Sequence, residues 1–186
     1  MPDMFNHITV FISIVVALGL SELVTAWGAL LRHRENVRFH WLHAFWSMFM
    51  VVFMIQTWWG IWNFAAIEQW SFMVLCALTV QNLMLVETAQ ILSPRVDHDR
   101  PADMKDFFFS NSKVFFLVAT SLLLVLTIND IVWLELPLFN IENIVRFGGM
   151  AVCTLAAFSQ NERFHALVAA LASAMFIAFV IPTLYK

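Results

Sequence analysis

Six long apolar runs fill almost the whole of this 186-residue chain, and each ends in charged or turn-forming residues. A helix that crosses the hydrocarbon core of a bilayer needs about 20 mostly apolar residues. Lipid offers no hydrogen-bond partners to the backbone, so only helices or closed barrels span it. The runs are too long for barrel strands and lack the alternation that strands require. The expected fold is an all-α, polytopic transmembrane bundle in one domain. Its spans are placed at about 8–31, 41–62, 70–92, 113–136, 141–158 and 164–184, with a longer cytoplasmic loop at 93–112.

Composition supports this reading. The chain is 61% hydrophobic and 12% charged, whereas a soluble domain is about 25% charged. Six spans use up the length, which leaves no soluble catalytic domain. The basic residues are not patterned for nucleic acid, and none is expected as a partner. Asp3 and the absence of Lys or Arg before the first run argue against a cleavable signal peptide. Cys76 and Cys153 fall inside apolar runs and are expected as packing residues, not a disulfide.

Charge asymmetry predicts orientation. Arg32, Arg34 and Arg38 lie in one loop, Arg95, Arg100, Lys105 and Lys113 in or beside another, and Arg163 in the last turn. The opposite side carries Asp3, Glu68 and Glu142, with Lys186 alone against them. The positive-inside rule then puts both termini on the non-cytoplasmic side. Trp58, Trp59, Trp62 and Trp70 fall at the outer interface and Trp41 and Trp46 near the inner one, as aromatic belts.

Ionisable residues at bilayer depth are costly and are expected to face the bundle interior. The predicted polar core is Glu22, Glu87, Gln56, Asn82, Asp130 and Arg146. Glu22 lies beside a small-residue stripe, Ala17, Ser21, Thr25 and Gly28, and is expected in a close helix seam, with Leu20 and Trp27 facing lipid. On span three, Glu87 shares a stripe with Cys76, Thr79, Leu83 and Gln90, and Gln81 and Thr88 form a second polar face. That pattern predicts a central helix. Glu22 facing Glu87 would make a proton site, since two close carboxylates cannot both ionise. Alternatively, each is held separately as structural glue. Asp130, Arg146 and Glu142 are expected to cluster, with Glu142 four residues before Arg146 in the favourable helical order. Ala166, Ala170, Ala174 and Ala178 form a small-residue ridge on span six, either inside the bundle or at a subunit contact; Pro182 ends that span.

His40 and His43 stand one turn apart and, with Glu87, are the weak candidates for a metal site. No span offers paired axial histidines for haem, a lysine for retinal, or a serine with matched acid and base. No cofactor is expected.

The segments Gly19-Leu20-Ser21-Glu22-Leu23, Arg32-His33-Arg34, Trp41-Leu42-His43, Gln56-Thr57-Trp58-Trp59 and Phe109-Ser110-Asn111-Ser112-Lys113 resemble a group of small bacterial inner-membrane proteins. The resemblance implies a bacterial inner-membrane location and a similar bundle. It implies no activity.

Three functions remain after this reading. The first is a channel or transporter-like protein for an ion, proton or small solute. The second is a non-catalytic scaffold, accessory subunit or sensor; in every case the small bundle, with several small-residue seams, is expected to self-associate or to bind a membrane partner protein within the lipid bilayer. The third is an intramembrane enzyme acting on lipid or quinone through His40, His43 and Glu87.

Overall fold

The computed structural model describes residues 2–67, 69–96 and 101–180. Glu68, Arg100, Pro182 and Lys186, all singled out from the sequence, lie outside the described residues. The chain forms α1 (Pro2–Arg32), α2 (Trp41–Gly60), a 3-10 helix (Ile61–Ala66), α3 (Phe72–Leu92), α4 (Met104–Trp133), α5 (Ile141–Ala157) and α6 (Glu162–Val180). Apart from α5, each of these helices is long and apolar enough to cross a membrane, α2 together with its 3-10 extension. α5 has 17 residues and carries Glu142 and Arg146.

Helix starts follow side-chain chemistry. The Ser71 hydroxyl accepts from the Val74 N–H at 3.4 Å, and the Asn140 side chain accepts from the Asn143 N–H at 2.7 Å. Asp103 accepts from the N–H groups of Lys105 at 2.8 Å and Asp106 at 3.4 Å. Each satisfies a donor that the first turn leaves without a backbone partner.

The Asp103 cap moves the start of α4. The loop expected at 93–112 ends at Asp103, and residues 104–112 are the first turns of a continuous helix. Two short strands, β1 (Val37–Arg38) and β2 (Ala102–Asp103), pair in parallel and tie the two basic loops together. The exposed Arg38–Asp103 pair at 3.8 Å lies on this ribbon. The Lys105 N–H first, then the Asp106 N–H and the Arg38 guanidinium, hold the Asp103 carboxyl below its ordinary range. A depressed carboxylate stabilises the fold above the unfolded-state pKa, and that contribution is lost as pH falls through the folded pKa. Asp103→Asn should therefore lower the thermal midpoint at pH 7, and the gap from the natural chain should close toward pH 3. A gap independent of pH would contradict the capping role.

α1 packs on α3, α3 on α4, α4 most heavily on α5, and α5 on α6, while α2 touches α1, α3, α4 and α6. The buried face of α1 is Ile12, Val15, Val16, Gly19, Leu23 and Ala26. A Cβ on Gly19 would meet the Met54 methyl and stand 3.4 Å from the Val86 Cα. Gly19 is thus the close-approach residue of this seam. The stripe Ala17, Ser21 and Thr25 instead faces outward, as does Glu22, while Leu20 and Trp27 are half-buried. The α3 face that packs inward is Val74, Leu78, Gln81, Asn82, Leu85, Thr88, Ala89 and Leu92. The buried residues form a single stripe, with Glu87 and Gln90 outside it, yet α3 packs against α1, α2 and α4, as expected of a central helix. On α6, His165, Val168 and Ala169 are buried, whereas Ala170, Ala174 and Ala178 face outward.

The outward surface is rich in large apolar side chains such as Val10, Leu18, Val24, Phe72 and Ile177. A soluble monomer rarely exposes so much contiguous apolar area. The surface suits lipid.

Candidate functional site

The polar residues of the bundle converge on α4. Asn129 and Asp130 are consecutive, and neighbours on a helix project about 100° apart. They therefore reach two different helices. Asn129 Nδ2 donates to Gln81 Oε1 on α3 at 2.8 Å, and Asp130 Oδ2 accepts from Arg146 Nη1 on α5 at 2.5 Å. Arg146 Nη1 also donates to Asn143 Oδ1 at 3.2 Å. Asn143 Nδ2 in turn donates to the Pro137 carbonyl at 3.1 Å, fixing the loop before α5. The Arg146 guanidinium stands 5.8 Å from the Phe179 ring centroid on α6. One arginine thus links α4, α5 and α6.

An interhelical hydrogen bond in lipid contributes about 0.6 kcal/mol on average, while a buried orphaned amide costs about 1–3 kcal/mol. Asn129→Leu leaves Gln81 without its partner, so the second effect governs. The variant should lose about 1 kcal/mol in denaturant unfolding from mixed micelles, and Gln81→Leu on the same background should restore most of it. Additive losses would contradict the pairing.

Beside this polar group lies a cavity of about 910 Å³ between α2, α4, α5 and α6. Small-molecule pockets run at about 300–1,000 Å³. Its floor is Trp46, Met50, Phe115 and Phe116, all buried. Its other end is lined by Trp59, Trp62, Asn63, Gln69 and Glu135, all exposed. The cavity therefore opens at the end of the bundle where α1 begins. Gln56, Thr57, Gln81, Asp130, Glu142 and Arg146 contribute its polar lining. The walls are otherwise aromatic and aliphatic, including Phe49, Phe53, Leu122 and Phe176.

Small residues make this room. A Cβ on Gly148 would stand 2.9 Å from the Met175 methyl, and one on Gly149 would stand 3.2 Å from Leu123 Cδ1. These glycines let α5 sit close to α4 and α6 along the cavity wall. At the mouth, Glu135 has φ 53°, a left-handed conformation normally taken by glycine after a helix. For a non-glycine residue this costs on the order of 1 kcal/mol. The Leu134 and Leu136 N–H groups both bond to the Asp130 carbonyl at 3.2 Å, so the turn is held from the residue that pairs with Arg146.

No protein-family model, curated protein or solved structure matches the chain. The geometry must carry the functional argument.

The sequence-derived polar core divides accordingly. Asp130 and Arg146 form the expected pair, and Glu142 lines the same cavity. Gln56 lines the cavity half-buried. Asn82 is buried on α3, donating to its own helix at the Leu78 carbonyl at 2.8 Å. It does not line the cavity. Glu22 and Glu87 are corrected: both are exposed, and no buried carboxylate pair forms between α1 and α3. Aliphatic Leu23, Leu85 and Ala89 occupy the buried α1 and α3 faces instead.

The His40, His43 and Glu87 grouping is corrected as well. His43 Nε2 donates to the Leu92 carbonyl at 2.9 Å, while Glu87 faces outward. Among the described residues, no three His, Cys, Asp or Glu side chains stand close enough to hold a metal. Cys76 and Cys153 are free thiols.

Several residues escaped the sequence reading. Trp46 was expected as an interface anchor, yet it is 2% exposed and packs against Phe115 and Phe116 with ring centroids 5.6 and 5.1 Å away. His165 is wholly buried, with Nε2 donating to the Ser159 carbonyl at 2.9 Å and rings of Phe108, Phe109 and Phe116 around it. The Asn129–Asp130 doublet inside an apolar run was the available signal for a two-sided polar clasp. Nothing local marks the Trp46 floor.

Proposed function

We propose that this integral membrane protein is transporter-like and takes a small amphiphilic molecule into the α2–α4–α5–α6 cavity. The observation that carries the reading is the cavity itself. It is of ligand size, apolar along its walls, polar at its open end and closed by an aromatic floor. That gradient matches a molecule with an apolar body and a polar head. A bacterial inner membrane and six crossings, with α5 as the short one, complete the picture.

The test is equilibrium binding of a neutral fluorescent amphiphile, N-phenyl-1-naphthylamine, to the chain in nanodiscs. Ala119 lines the cavity about one helical turn from the Phe115–Phe116 floor, so Ala119→Trp should obstruct its deep end and reduce saturable binding at least tenfold. Glu22→Gln with Glu87→Gln should leave binding unchanged, because neither residue lines the cavity. Binding that survives Ala119→Trp, or is lost in the glutamine variant, contradicts the assignment.

A second reading has its own observation. Glu22 and Glu87 are exposed on a surface otherwise suited to lipid, and a carboxylate facing lipid at depth costs about 2.5–3.5 kcal/mol on insertion scales. A second copy or a membrane partner covering α1 and α3 would relieve that cost. Crosslinking from cysteines placed at Ser21 and Gln90 should trap such a contact; monomer alone at every protein density sinks it.

A further inference from the structure

We propose that the ligand of this cavity is a lipophilic cation, with its charged head at the mouth and an apolar body reaching toward Trp46. The proposal rests on the reading of the cavity as a ligand site and names its substrate class.

The charge at the mouth points this way. Among the described residues, three carboxylates, Asp130, Glu135 and Glu142, line the cavity against one guanidinium, Arg146. Arg146 is bonded to Asp130 at 2.5 Å and to Asn143 at 3.2 Å. It is already matched, which leaves the charges of Glu135 and Glu142 facing the opening. Clefts with low-dielectric walls focus such a field and concentrate the opposite charge. An anionic head would meet two carboxylates, and a neutral head would leave both without a counter-charge.

The rings at the same end suit a cation. Trp59, Trp62, Trp133 and Phe179 line it, and the face of an aromatic ring attracts a positive group within about 6 Å. Phe179 already does so for Arg146, at 5.8 Å. The left-handed backbone at Glu135 holds one carboxylate at this mouth where glycine would be the easy residue.

The floor sets how deep a ligand can reach. Trp46 is 2% exposed and lines the cavity. Its indole nitrogen is enclosed by protein, so the residue bounds the cavity through its ring face and edge. Trp46 precedes Thr57 by eleven residues on α2, which places the floor about 16.5 Å from the polar lining at 1.5 Å rise per residue. The best ligand therefore joins a cationic head to an aromatic or alkyl body.

Three probes of similar shape separate these elements: tetraphenylphosphonium, tetraphenylborate and neutral triphenylphosphine oxide. Binding to the chain in nanodiscs is measured against empty nanodiscs. Tetraphenylphosphonium should bind one per chain, at least tenfold more tightly than tetraphenylborate. Glu135→Gln with Glu142→Gln should remove that preference while leaving triphenylphosphine oxide binding unchanged, which also reports an intact fold. Equal or tighter binding of the borate, or a preference unmoved by the double variant, overturns cation selection and leaves the cavity reading standing. If no probe binds saturably and Ala119→Trp changes nothing, the cavity reading itself fails.

Discussion

Arg146→Ala is expected to be among the most damaging single substitutions in this protein, at about 3–5 kcal/mol. The Asp130 and Arg146 side chains are only 10% and 12% exposed. Removing the guanidinium leaves a buried carboxylate whose remaining neighbours are the cavity wall and Glu142. It also cuts the link from Arg146 to Asn143 and so to the Pro137 carbonyl, which orders the entry to α5. The large value reflects the orphaned charge more than the attraction within the pair. A buried ion pair replaced on both sides by apolar residues is often neutral in stability. Arg146→Met with Asp130→Leu should therefore recover most of the loss in reversible denaturant unfolding. A double variant as unstable as the sum of the single ones would show that the pair itself, and not the unpaired charge, is what matters.

Phe116→Ala is the second large effect, with a different physical origin. Phe116 is 0% exposed and touches the Trp46 ring at 5.1 Å and the His165 ring at 5.3 Å. In a soluble core, Phe→Ala costs about 3–5 kcal/mol. Part of that is the transfer of apolar atoms from water, which lipid does not supply because acyl chains are as apolar as the core. The loss of contacts around the new void remains, so about 2 kcal/mol is expected. The same substitution joins the cavity floor to the space beside His165. Longer amphiphiles should then gain affinity relative to short ones, measurable with an alkyl-chain series. A stability loss without any change in chain-length preference would mean that Phe116 does not form the floor.

The fold class was legible because lipid leaves so few options: long apolar runs must be helices. The starts of α3 and α5 fall within two residues of those expected at 70 and 141, whereas α4 starts at Met104 and not near 113, because Asp103 caps it. The Asp130–Arg146 pair was legible because two opposite charges inside apolar runs have few alternatives. The facing of Glu22 and Glu87 was not. Spacing shows which residues share a helix face, but not which face turns inward. On α1 and α3 the inward faces are the aliphatic ones, and Gly19 rather than the Ala17–Ser21–Thr25 stripe makes the close approach. The cavity was not legible because it arises from four helices failing to fill a space, and no single segment encodes it. Trp46 illustrates the same limit: in sequence it looks like an interfacial anchor, and only its packing on Phe115 and Phe116 makes it a floor.

The central claim is that an accessible, cation-favouring cavity runs from the Trp59–Trp62 end of the bundle toward Trp46. Cysteine accessibility tests it most directly. With Cys76 and Cys153 replaced by alanine, single cysteines are placed at Thr57 and Ala119, which line the cavity, and at Val52, which is 44% exposed on the outer surface. The account predicts that a water-soluble cationic methanethiosulfonate modifies positions 57 and 119 but not 52. It also predicts that the cationic reagent outpaces its anionic counterpart at least tenfold. Modification at position 52 alone, or equal rates for both charges at position 119, would contradict it.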